Sequence, residues 1–115
     1  MSKIMQILIH SLPLVLGIIL SYFFWRHNTD LFLIYLVLSL VVIFLGKDRK
    51  TETWIFIYGL IAGFIVETIG TEVSGYQKFT QPDLLGIPYW LVVSWGYGFV
   101  LMKRIGFIIK NNSPW

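Results

Sequence analysis

Cysteine is absent from this 115-residue chain, which excludes disulfides, thiolate chemistry and cysteine-based metal sites and leaves the redox compartment open. Charge is scarce, at 13% of residues. Histidine occurs twice, as His10 inside an apolar run and His27 in a polar stretch. Metal sites on helices need two or three ligands at i, i+3 or i+4 spacing, so neither a metal nor another cofactor is expected. Internal repeats and low-complexity tracts are lacking as well. The net charge of +3 is scattered over separate segments, which argues against a nucleic-acid partner.

What the chain has instead is apolar surface. With 57% hydrophobic residues and a mean hydropathy of +0.74, it carries more than a soluble domain of this length could bury. The expected fold class is all-α: a polytopic membrane protein forming a four-helix transmembrane bundle, with residues 1–115 as a single integral membrane domain. Its apolar runs are Ile4 to Trp25, Leu31 to Leu45, Trp54 to Ile69 and Leu84 to Met102. About 20 residues are needed to cross a ~30 Å hydrocarbon core. The two middle runs are shorter and must borrow flanking residues, which places the spans at about 4–25, 30–46, 53–70 and 84–102. Asn28, Thr29 and Asp30 are candidates to cap the second.

Basic residues give an independent count of the spans. Lys3, Lys47, Arg49, Lys50, Lys103, Arg104 and Lys110 fall on one side of a four-span topology, and only Arg26 and Lys78 on the other. That asymmetry predicts a multi-pass protein of the cell membrane with both termini cytoplasmic. Tyr22 and Trp25 then lie at the outer interface and Trp54 at the inner one, where amphipathic rings are favoured. A cleaved signal peptide is the competing reading of the first run. That run is longer than a usual signal core and lacks a small-residue cleavage site before Arg26, so it is expected to remain as a helix.

The connections differ in character. Gly46 to Thr53 is short and charged, so the second and third helices are expected to pack as antiparallel neighbours. Gly70 to Asp83 mixes glycines, Tyr76, Phe79 and Pro82 with Glu72, Lys78 and Asp83; it either covers a cavity between the helices or is a plain solvated connection. Beyond Met102, Lys103 to Lys110 reads as a fraying helix end or interfacial segment, and Asn111 to Trp115 as a loose tail. Small and polar residues form stripes suited to helix packing: His10, Pro13, Gly17 and Ser21 on the first span, Gly59 and Gly63 on the third, Ser94 and Gly98 on the fourth. His10 is expected to bond a backbone carbonyl or another helix, the commoner fate of a lone membrane imidazole, with a proton relay as the alternative.

Glu67 stands out because it is the one carboxylate inside the run from Trp54 to Ile69. A charged side chain at the centre of a membrane helix costs roughly 2.5 to 3.5 kcal/mol on insertion scales and is rarely kept without a partner or a role. Gly59, Gly63 and Glu67 recur every fourth residue and share a face. One reading makes Glu67 structural glue, bonded to Ser94 or Tyr97 or reaching to the interface. The other makes it a proton donor, since a carboxyl group removed from water favours its neutral form, the state a general acid needs. Tyr76, Phe79, Tyr89, Trp90 and Trp95 lie in the same half of the bundle or at its midplane, and the faces of such rings stabilise cations. An acid beside aromatic rings suits chemistry that protonates an alkene and shelters the resulting carbocation.

The sequence Glu67-Thr-Ile-Gly70, followed by Gly75-Tyr76, by Leu85-Gly86-Ile87-Pro88 and by Trp95 seven residues after the proline, resembles the membrane carotenoid hydratases. The likeness covers residues 67–96, about a quarter of the chain. It departs where the family has a Pro-Phe-Gly after the second glycine and where Gln77-Lys78-Phe79 replaces a Tyr-x-Tyr. Family members are longer and have more spans, so a shortened relative, or a half that joins a partner as in split lycopene cyclases, is implied. The resemblance implies water addition across a terminal double bond of a long isoprenoid polyene, without a redox cofactor. It matches Glu67 to the family acid. On this reading Glu72 or Asp83 positions the water, while Tyr76, Phe79, Trp90, Trp95 and Tyr97 line the substrate. Membrane lipid, an apolar isoprenoid substrate, and a second copy or a partner membrane subunit are the expected partners. The alternatives are a non-catalytic membrane protein of unassigned role, or a small proton-coupled transporter acting as an oligomer. Length, four spans and one membrane glutamate also resemble the small multidrug exporters, although those carry their glutamate in the first helix.

Overall fold

A computed structural model describes residues 1–73 and 87–115. Within them lie four helices: α1 Lys3–Phe24, α2 Asn28–Leu45, α3 Arg49–Thr68 and α4 Tyr89–Asn111, with a π-helical turn, Ile69–Val73, continuing α3. All four are long and apolar enough to cross a membrane. The all-α four-span bundle expected from hydropathy is therefore the fold. Its long axis of 43 Å compares with the ~40–45 Å of a bilayer including headgroups.

The helix ends follow local chemistry. The Ser2 hydroxyl accepts the Met5 N–H at 3.2 Å and starts α1. The candidate caps Asn28, Thr29 and Asp30 prove to be the first residues of α2 itself, and His27 before them makes no side-chain cap bond; Asp30 instead complements the helix dipole from the first turn. Helix α3 begins at Arg49, earlier than the apolar run suggests, because the charged residues wind into its first turn. Asn112 closes α4 in the left-handed region, at φ 60°, with its N–H bonded to the Ile108 carbonyl.

Helix α4 is the hub, packing against each of the other three. Helices α2 and α3 barely touch, although a short turn joins them, which corrects the expectation that they pack as neighbours. Glycines explain the preference for α4. A Cβ on Gly59 would lie 2.7 Å from Gly96 Cα, and one on Gly96 2.7 Å from the Phe56 ring, so α3 and α4 approach more closely than side chains would permit. Leu31, Tyr35, Ile43, Phe56, Val93, Tyr97, Val100 and Leu101 form the core. Only Gly17 is buried on α1; Leu14 and Leu20 pack partly buried against the core, while Ile4, Leu8, Leu12 and Ile18 face outward, as lipid contact requires.

Both termini lie at one end of the bundle. Lys3 Nζ donates to the Ile109 carbonyl at 2.7 Å, and Gln6 Nε2 to the Asn112 carbonyl at 3.1 Å. The segment after Met102 is neither frayed nor loose. Helix α4 runs unbroken to Asn111, Arg104 and Ile108 are buried, and Pro114 is buried beyond the helix. Lys103 and Arg104, two of the charges that suggested an exposed end, are consumed in an internal ion cluster, and Lys110 stays exposed.

Candidate functional site

Glu67 lies in the last turn of α3, half-buried, and accepts a hydrogen bond from Trp95 Nε1 at 3.0 Å. Neither anticipated partner serves it: Ser94 Oγ donates to the Leu91 carbonyl at 2.6 Å, and Tyr97 OH to the Pro13 carbonyl at 2.8 Å. Gly63 makes the Trp95 contact possible, because a Cβ there would overlap the Cβ and Cγ of the tryptophan. One turn farther along α3, the indole N–H then meets the carboxyl. The helix widens into its π turn directly after Thr68, a feature that recurs at functional sites.

Because α2 and α3 diverge above α4, a groove of about 400 Å³ opens between them. It is lined almost wholly by apolar atoms of Phe32 on α2, Leu60, Ile61 and Phe64 on α3, and Tyr89, Val92 and Val93 on α4. Leu60, Phe64, Glu67 and Thr68 stand at i, i+4, i+7 and i+8, one stripe of α3. The groove's α3 lining ends at Phe64, and Glu67 and Thr68 follow in the next turn of that stripe. Among the described residues, Thr68 Oγ1 is buried without a hydrogen-bond partner, and so is Trp90 Nε1 on α4. Buried polar atoms are normally satisfied, so two such orphans near one end of the bundle call for an explanation.

The expected aromatic wall divides in two. Trp95 faces α3, with the Phe99 ring 5.9 Å away. Trp90 stacks on Tyr35 at 6.2 Å and 9°, and Tyr97 meets the same Tyr35 edge-on at 5.5 Å. Residues 95 and 97 differ by about 200° around a helix, which is why Trp95 cannot share a wall with Tyr97. Tyr35 is itself pinned, its hydroxyl donating to the Gly17 carbonyl at 2.7 Å and lying 2.6 Å from Ser21 Oγ. The stripe of Pro13, Gly17 and Ser21 is accordingly a packing seam. The Ser94 and Gly98 stripe is not, since a Cβ on Gly98 would meet nothing within 4 Å. Glu72 is exposed on the π turn. Tyr76, Phe79 and Asp83 lie outside the described residues. His10 Nδ1 donates to the Gln6 carbonyl of its own helix at 3.0 Å.

A second polar cluster, which sequence reasoning missed, occupies the end bearing the termini. Glu52 is completely buried and receives Arg104 through both oxygens, at 2.6 and 2.7 Å, with Lys103 Nζ at 3.1 Å. Arg104 also donates to the Val42 carbonyl at 2.6 Å, and its guanidinium lies 4.6 Å from the Trp115 ring centroid. Such two-pronged pairing is the strongest form an ion pair takes. A signal did exist: Glu52, Phe56, Gly59 and Gly63 form one stripe of α3, and Tyr97, Val100, Arg104 and Ile108 one of α4. Among the described residues, no three His, Asp or Glu side chains converge as metal ligands. In comparisons with known proteins, no family model, no curated protein and no solved structure matches the chain.

Proposed function

We propose that this four-span membrane protein takes a long apolar molecule of isoprenoid type into the groove between α2 and α3 and protonates one of its alkenes with Glu67. The observation that carries the reading is a half-buried carboxyl and a buried hydroxyl, unpaired among the described residues, in the turn of α3 that follows the Leu60 and Phe64 wall of an apolar groove. A volume of about 400 Å³ falls within the usual range of small-molecule sites. The partial likeness to carotenoid hydratases, centred on Glu67 and Trp95, supports the same chemistry.

The Glu67 proton passes to one alkene carbon and leaves a carbocation on the other. The ring faces of Phe64 and Tyr89 stabilise that charge. Water held at Thr68 Oγ1 adds to the cation and returns a proton to the Glu67 carboxylate, so alkene and water become an alcohol and the acid is regenerated. Trp95 fixes the carboxyl throughout. Glu72, on the adjoining turn, and Asp83 are further candidates to guide the water, and the end bearing the termini is assigned to the cytoplasm. Self-association or a partner membrane subunit would complete the site.

Purified protein supplied with acyclic carotenoids tests this. Wild type should yield a hydrated product, Glu67→Gln should lose at least ~100-fold in rate, the typical scale of general acid catalysis, and Thr68→Val should hydrate poorly. An unchanged product pattern in Glu67→Gln removes this residue from the chemistry. The Trp95 bond favours a second reading, in which Glu67 only ties α3 to α4. Glutamine still accepts that bond, so on this reading Glu67→Gln is silent while Trp95→Phe loosens the bundle.

A further inference from the structure

The opposite end of α3 carries a different arrangement. Thr51, Trp54, Ile55, Ile57, Tyr58 and Ile61 line a second apolar groove, of about 460 Å³, on the outer face of the helix. Lys50, Trp54, Ile57 and Ile61 stand at i, i+4, i+7 and i+11, so a lysine heads the stripe that runs down the groove. From Lys50 to Ile61 the helix rises about 16 Å, close to half of a ~30 Å hydrocarbon core. The groove therefore spans one leaflet, with its basic head at the interface.

The charges at that head are unbalanced. Both acidic residues near it point elsewhere: Glu52 is buried against Arg104 and Lys103, and Asp48 lies 3.8 Å from Lys103 Nζ. Arg49 is occupied locally, its Nε bonded to the Phe44 carbonyl at 2.9 Å. Lys47 and Lys50 are exposed and form no ion pair among the described residues. Beneath them Trp54 is 65% exposed, at the depth where an indole favours the headgroup boundary.

We infer that this face is a binding site for an anionic phospholipid, whose phosphodiester sits between Lys47 and Lys50 and whose acyl chain lies along Trp54, Ile57 and Ile61. Free phosphate would use the lysines but leave the leaflet-length groove empty. A neutral lipid would fill the groove but leave both cations without a counter-charge. Only a molecule with an anionic head and one leaflet of hydrocarbon satisfies both halves. The two grooves meet at Ile61, which lines both, but the lysine end of this one lies at the opposite end of α3 from Glu67 and the assignment does not rest on the chemistry proposed there.

Competition by native mass spectrometry tests it. The full chain in detergent is offered equimolar phosphatidylglycerol and phosphatidylcholine, and the ratio bound is read. Each basic residue near an anionic surface is worth about fivefold, so wild type should prefer phosphatidylglycerol by on the order of 25-fold and Lys47→Gln/Lys50→Gln should show almost no preference. Ile57→Trp, which fills the groove, should reduce binding of both lipids. Raising the salt from 0.15 to 1 M shortens the screening length from about 8 to 3 Å and should erode the preference. Lys110→Gln removes a basic residue at the same end but away from the groove, and should leave the ratio unchanged. Equal binding of the two lipids by wild type, or a loss of preference in Lys110→Gln at least half as large as that in the Lys47→Gln/Lys50→Gln variant, overturns the assignment.

Discussion

Two carboxylates at opposite ends of α3 have opposite fates. Glu52 is enclosed by two cations and has no exposed surface, so its work is to neutralise charge inside the bundle. Removing one member of a buried ion pair leaves the other uncompensated, at a cost of about 3–5 kcal/mol. Glu52→Gln should therefore destabilise the protein by that order in a denaturant titration in micelles. Glu52→Leu combined with Arg104→Met should recover much of the loss, because Lys103 can still turn to Asp48. Tyr35→Phe removes a single hydroxyl bonded to Gly17 and Ser21; such bonds between membrane helices average about 0.6 kcal/mol, and the same titration should rank it far below Glu52. Glu67 was conspicuous in the sequence because it interrupts an apolar run. Glu52 was hidden because it borders a charged turn, and its burial depends on Arg104 arriving from 52 residues away.

At the scale of elements, hydropathy locates four helices well but cannot say which of them is central. The short turn between α2 and α3 argued for adjacency, whereas tertiary packing chose α4, whose Gly96 admits Gly59 and Phe56 at backbone distance. Small residues were legible as stripes, yet equal stripes have unequal fates. Gly63 lies under Trp95, and Gly98 faces open space. Gly63→Ala should push Trp95 aside, weaken its bond to Glu67 and cost about 1–3 kcal/mol, as overpacking generally does. Gly98→Ala should change stability by less than about 0.5 kcal/mol. Unfolding of the two variants side by side, with tryptophan emission as a second readout, checks both statements. Similar losses in the two would mean that Gly98 is covered in the native assembly.

For the whole molecule, the end bearing the termini is a lock made by every helix. The start of α1 holds the end of α4 through Lys3 and Gln6. The turn between α2 and α3 brings Gly46 and Glu52 to Arg104, and Trp115 lies over Arg104. Such a closure requires that an even number of helices cross between the termini, as the asymmetry of basic residues implied. What that asymmetry adds is direction, since retained lysines and arginines favour the cytoplasmic face. The natural lack of cysteine makes the point directly measurable, because each introduced thiol is the only one in the chain. In intact cells, a membrane-impermeant maleimide should spare Ser2→Cys, Lys50→Cys and Ser113→Cys alike and label Thr29→Cys. After permeabilisation all four should react. Labelling of Ser2→Cys and Ser113→Cys from opposite sides would contradict the four-span closure. Labelling of all three basic-end positions from outside would keep the closure and reverse its direction.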